Sequence, residues 1–119
     1  MSRDKGARYE SLALKHLLSN GLALIDRNFH CRQGEIDLIM RDGNCLVFAE
    51  VRYRASNAYA SAAHSVDSRK QGKIARTAEM YLARKPELGH YRVRFDVIAF
   101  DNAESDKGTL QWIRDAFRV

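Results

Sequence analysis

Apolar positions along the chain change their period several times, and each change marks an element. From about Asp4 to Ser19, Tyr9, Ala13, Leu14 and Leu17 share one face at ~100° per residue, which predicts a helix stopped by Asn20-Gly21. Leu22 to Phe29 reads as a strand. Two apolar runs, Gly34 to Met40 and Leu46 to Arg52, flank Asp42-Gly43, a pair that tolerates the positive φ of a tight turn and so predicts a hairpin over roughly Glu35 to Arg54. Ile36, Leu38, Val47, Ala49 and Val51 occupy one face of that hairpin, while Ile39, Leu46 and Phe48 crowd the other. Strands apolar on both faces are covered on both faces. The small, polar residues from Ala55 to Ser65 predict a surface loop. Helical spacing returns from Ser65 to Lys85, with Ile74, Ala78, Tyr81 and Leu82 on one face and Pro86 as the stop. His90 to Phe100 is a strand rich in β-formers, and Leu110 to Phe117 is a closing strand or short helix with Trp112 on the core. The order predicts an α/β fold, a mixed sheet with a helix on each side.

Acids stand inside strands that otherwise read as buried. With Asp42-Gly43 as a two-residue loop, Asp37 faces Phe48 and Glu35 faces Glu50. Alternation then sends Glu35, Asp37, Glu50 and Arg52 to one face, with Asp37 and Glu50 as diagonal neighbours. Like charges facing one another across strands are destabilising unless something positive lies between them. A divalent metal ion meets that need, and Arg52 adds to it. The competing reading is a solvated, salt-bridged hairpin face, against which the apolar residues on both faces argue. Glu10 falls within the apolar stripe of the first helix, where burial costs several kcal/mol unless the carboxylate is paired or metal-bound. Its alternative is a stripe-edge position that reaches Arg8 or water.

Composition narrows the classes. A chain of 119 residues with 45% hydrophobic and 29% charged content is expected to form one domain, 1–119. The net charge of +5 favours an anionic partner such as nucleic acid. Arg69, Lys73 and Arg76 form a basic ridge on the second helix suited to phosphate contact, or else an ordinary solvated face. Lys70 and Gln71 flank the apolar face instead and point toward the sheet. Cys31 and Cys45 have neither zinc-site nor disulfide-framework spacing, and read as reduced thiols of a cytoplasmic protein. No apolar run approaches the ~18 residues of a membrane span, and the amino terminus has no signal-peptide core.

Taken together, Gly6 and Glu10, Arg27-Asn28-Phe29, Gly34-Glu35-Ile36-Asp37-Leu38-Ile39, Phe48-Ala49-Glu50-Val51-Arg52, Arg69-Lys70-Gln71 and Arg94-Phe95-Asp96-Val97-Ile98 closely resemble the YraN family of small bacterial proteins. That family is similar to the restriction-endonuclease-like superfamily with its PD-(D/E)xK signature, and within it to archaeal Holliday junction resolvases. The resemblance implies a central mixed sheet with a β-hairpin and helices on both sides. It implies hydrolysis of phosphodiesters in DNA, branched or damaged, by a homodimer. It makes Asp37 and Glu50 ligands of Mg²⁺ or Mn²⁺, and Glu10 an outer ligand or base-positioning group. Ile36 stands where the signature has proline. Arg52 stands where it has lysine. A guanidinium keeps its proton, so Arg52 fits transition-state stabilisation by charge and does not fit a general base. Lys70, with Lys73 second, is the candidate to replace the missing ammonium. Two other readings stay open: a nucleic-acid-binding protein without hydrolysis, and a scaffold whose acids pair with Arg52, Arg92 and Arg94.

Overall fold

The computed structural model describes residues 2–55, 62–103 and 108–118, with side chains from Gly6 onward. Helix α1 (Ser2–Ser19) leads into strands β1 (Ala23–Cys31), β2 (Gly34–Asp42) and β3 (Cys45–Tyr53). Helix α2 (Ser68–Arg84) then connects to β4 (Arg92–Asp101) and β5 (Thr109–Phe117). These five strands form one sheet in the order β1-β2-β3-β4-β5. Among them, β3 and β4 run parallel and the other neighbours antiparallel. A parallel pair needs a long crossover, and α2 lies within it. The closing element, open between strand and helix in the sequence, is a strand.

The sheet separates two cores, as an α/β layer requires. On one face α1 presents Tyr9, Ala13 and Leu17 to Leu38, Met40, Val47, Ala49, Ile98 and Phe100. On the other, α2 presents Ile74, Ala75, Ala78 and Tyr81 to Ile36, Ile39, Phe48, Phe95 and Val97. β2 and β3 are therefore buried on both sides, as their unbroken apolar runs predict. α1 ends where expected: Gly21 takes φ +91°, and its N–H and that of Leu22 return to the carbonyls of Leu18 and Leu17. Among the described residues, no helix is long and apolar enough to cross a membrane.

Two boundaries differ from the sequence reading. α2 starts at Ser68 rather than Ser65, because Ala62–Ser65 form a separate 3-10 turn. Its Ala62 N–H donates to the Asp101 carboxylate at 2.6 Å, and Asp67 then caps α2 by accepting from Lys70 N–H at 3.0 Å. The remainder of the expected surface loop, residues 56–61, lies outside the described residues. The hairpin loop is Gly43-Asn44 rather than Asp42-Gly43, since Asp42 pairs with Cys45 in the ladder. Gly43 supplies φ +60° at the first loop position, where a glycine followed by asparagine fits a type II′ turn. Asp42 is held in the strand by an ion pair with Arg94 at 2.9 Å, a long-range contact that overrides the local turn signal.

Candidate functional site

The change of loop shifts the β2–β3 register by two residues, which preserves the side-chain faces of β3. The ladder runs from Asp42↔Cys45 to Leu38↔Ala49 and stops there. Asp37 stands one step beyond the last pair, across from Glu50 rather than diagonal to it. Its Oδ2 accepts from Val51 N–H at 2.8 Å, so a side chain takes the place of the next ladder bond. β2 also loses its alternation here: Ile36 packs on the α2 side and Leu38 on the α1 side. On β1 the residue across from Asp37 is Asn28, whose φ of +56° marks the same break. The two strands fork at Asp37, and a cleft of about 450 Å³ opens beside Glu50.

The Asp37 and Glu50 carboxyl groups hydrogen-bond to each other. Two ionised carboxylates have no proton to donate, so the contact is favourable only when one member holds one. Burial, then the charge of Asp37, push Glu50 up to about 8 against the opposing pull of Arg52. Asp37 is raised as well, mainly by burial, while the Val51 N–H works against that rise. Arg52 meets Glu50 Oε2 through Nη2 at 2.7 Å, with only 25% and 14% of the two side chains exposed. Its Nε is buried without a partner among the described residues. Glu35, expected opposite Glu50, is instead exposed at the rim and pairs with His30 across β1 at 3.1 Å.

Glu10 is half-buried on α1, and its carboxyl is raised by burial and then by Asp37, with Arg27 and His30 opposing. It therefore approaches the Asp37 side of the pair, through the other face of the sheet. It does not close a three-acid cluster: among the described residues no three His, Cys, Asp or Glu side chains are grouped to hold an ion. Two acids and an adjacent third are what the fold assembles.

α2 forms the opposite wall. Lys70 and Lys73 are exposed and both line the cleft with Glu50 and Arg52. The inward lean expected of Lys70 is present. Lys73, expected on the outward ridge, turns into the cleft too, because it lies one turn before the buried Thr77. Arg69 and Arg76 remain exposed outside it. Gly34 explains the close approach of this wall: a Cβ there would meet Thr77 Oγ1 at 3.0 Å, and its φ is +149°. A glycine at a strand start is a signal for such an approach, and the sequence reading gives Gly34 no role of its own.

A second carboxylate constellation also escapes the sequence reading, which names Arg92 and Arg94 only as partners of acids in its scaffold alternative and gives Asp96 no role of its own. Asp96 is fully buried and accepts from Arg94 Nε and Nη2, from Trp112 Nε1 and from Asp115 N–H, at 2.9 to 3.0 Å. Arg92 stays exposed.

Residues 9–100 match Uncharacterised protein family UPF0102. The chain belongs to this family. That bears out the YraN resemblance. A UPF0102 protein of Stutzerimonas stutzeri is 45% identical over 98% of this chain and 96% of its own length. UPF0102 proteins of Alcanivorax borkumensis and Nitrosococcus oceani are each 44% identical, over 97% and 98% of this chain and 92% and 94% of their own lengths. The fork, the acid pair and the α2 wall all fall inside the matched segment.

Proposed function

We propose that this UPF0102 chain is a metal-dependent phosphodiesterase acting on DNA, built on a restriction-endonuclease-like fold and working in the cytoplasm. The observation that carries the reading is the contact between Asp37 and Glu50, with Glu50 and Arg52 lining an open cleft. Burying two carboxyl groups against each other, with a raised pKa, is unfavourable in the protein alone. The donor set fits a hard divalent cation, which takes the place of the shared proton and uses oxygen ligands. Asp37 and Glu50 would hold Mg²⁺ or Mn²⁺; such an ion, when bound, polarises a phosphoryl oxygen and lowers the pKa of water.

The remaining groups have roles set by their chemistry. Arg52 offers its fixed positive charge to a phosphate in the cleft that it lines. Lys70 supplies the ammonium that the strand lacks, from the facing helix wall, with Lys73 beside it. Glu10 retains a proton more readily than a free glutamate and orients Asp37 from behind. Arg69 and Arg76 extend the positive surface for backbone contact without sequence readout.

The ion pair between Arg52 and Glu50 favours a second reading, a nucleic-acid-binding protein without hydrolysis. A cleavage assay separates the two. With Mg²⁺ or Mn²⁺, four-way, flapped and single-stranded DNA are offered to the wild type and to Asp37→Asn, Glu50→Gln and Lys70→Met. Hydrolysis of at least one substrate is expected. It should disappear in the two acid variants, with DNA binding retained, and fall by roughly 10²-fold in Lys70→Met. Binding without cleavage on every substrate would favour the second reading.

A further inference from the structure

A second cavity, of about 380 Å³, adjoins the cleft and is lined by Val51, Arg52, Tyr53, Arg54, Ser65 and Lys70. Arg52 and Lys70 line both spaces, so they form the partition between them. The two compartments differ in charge. The first holds Glu35 and Glu50 among its cations. The second is lined, among the described residues, by three cations and no acid. Its position follows from the fork. Beyond Ala49, β3 has no partner on the β2 side. Arg54 N–H turns to Phe100 O of β4, and Val51 N–H turns to Asp37, so alternation sends the backbone groups of Tyr53 toward the fork as well. The first turn of α2 carries no acid, while its N-cap Asp67 already accepts from Lys70 N–H and offsets the positive end of the dipole.

Three cations and an outward strand edge, with no acid among the described lining residues and with Arg52 paired to Glu50 across the partition, make a space for an anion. Arg52, whose buried Nε has no partner among the described residues, is part of that partition. We propose that this second compartment is a phosphate subsite: it takes the nucleic-acid phosphate next to the one held at the acid pair, with Arg54 as its distinguishing residue. This rests on the nucleic-acid reading of the cleft and deepens it. A strand would pass from Glu50 over the Arg52–Lys70 partition to Arg54, so two successive phosphates are gripped and the backbone is fixed in register before any chemistry.

The test uses the full chain in EDTA, where hydrolysis is not required. A labelled single-stranded DNA 12-mer is titrated by fluorescence anisotropy at several salt concentrations. Arg54→Gln should weaken binding roughly tenfold and flatten the salt slope by about 0.7, as expected when one single-strand phosphate is no longer neutralised. Arg92→Gln removes an equal charge at the far end of β4 and should change neither. Separately, inorganic pyrophosphate, two linked phosphates, should shift the side-chain Nε–H resonances of Arg52 and Arg54 together. Wild-type affinity in Arg54→Gln, an equal loss in Arg92→Gln, or Arg54 resonances unmoved by pyrophosphate would each overturn the subsite. The two proposals fail separately. Cleavage by the wild type with Arg54-independent binding removes the subsite and leaves the phosphodiesterase. Arg54-dependent binding without cleavage supports the subsite and removes the phosphodiesterase.

Discussion

Two buried carboxylate constellations lie in the same sheet, and they are built to opposite ends. Asp96 is fully buried, yet each of its oxygens has donors: the Arg94 fork, the Trp112 indole and the Asp115 amide. Arg94 reaches on to Asp42, so the cation is shared between two acids. At the fork of β2 and β3, by contrast, Asp37 and Glu50 are turned against each other. Glu50 is pushed up to about 8, the Arg52 Nε has no partner among the described residues, and a cavity adjoins them. A network with every group paired stabilises a fold; one that turns two carboxyl groups against each other beside an unpartnered guanidinium N–H and open space is a candidate for binding. On the proposed reading, the difference separates a structural acid from a functional one where burial alone does not.

The largest effect should come from breaking the satisfied site. Asp96→Ala leaves Arg94, the Trp112 N–H and the Asp115 amide without their acceptor, and should cost about 3–5 kcal/mol in denaturant unfolding. Glu50→Gln at pH 8 should leave stability unchanged or raise it, since the variant cannot carry the buried charge. Equal losses in both variants would erase the contrast.

Stability against pH sharpens the same comparison. Glu50 is raised above its unfolded value of 4.5. The folded chain therefore binds the proton more tightly than the unfolded one. That contribution is fully present below about pH 4.5 and is lost as pH rises through about 8. Wild-type stability should fall across this window by up to about 1.4 kcal/mol per pH unit relative to Glu50→Gln. Parallel curves for the two proteins would place the proton elsewhere.

The sequence carries these regions unequally. Runs such as Leu38-Ile39-Met40 and Leu46-Val47-Phe48-Ala49 announce strands buried on both faces. Side-chain period alone brings Asp37 near Glu50 and sends Glu50 and Arg52 to one face of β3. Local turn signals set the loop one residue early and the register two residues off, because the Arg94–Asp42 ion pair joins residues 52 positions apart and no local rule contains it. The site survives that difference, since a two-residue shift keeps parity. Periodicity also puts Lys73 on the wrong face, because a helical wheel gives an angle and the Gly34–Thr77 approach sets the actual tilt of α2. The Asp96 network is illegible for the same reason: Trp112 and Asp115 reach it from β5, whose strand character the sequence leaves open.

A smaller effect concerns the helix surface. Replacing Arg69, Lys73 and Arg76 by alanine should weaken DNA binding alike for all sequences and flatten its salt dependence, by about 0.7–0.9 in slope for each phosphate no longer neutralised. Because Lys73 lines the cleft while Arg69 and Arg76 do not, Lys73→Ala alone should account for the largest share. Unchanged affinity and slope in the triple variant would make the ridge an ordinary solvated face.

We propose that the acid pair holds a divalent cation, and thermal unfolding in the presence of Mn²⁺ tests this directly. At pH 8, saturating Mn²⁺ should raise the midpoint of the wild type, with about 2.7 kcal/mol of added stability at 100 times Kd. The gain should shrink at pH 6, where the proton competes for the pair, and vanish in Asp37→Asn and Glu50→Gln. A wild type that Mn²⁺ does not stabilise, or a gain that survives in both variants, would contradict the account.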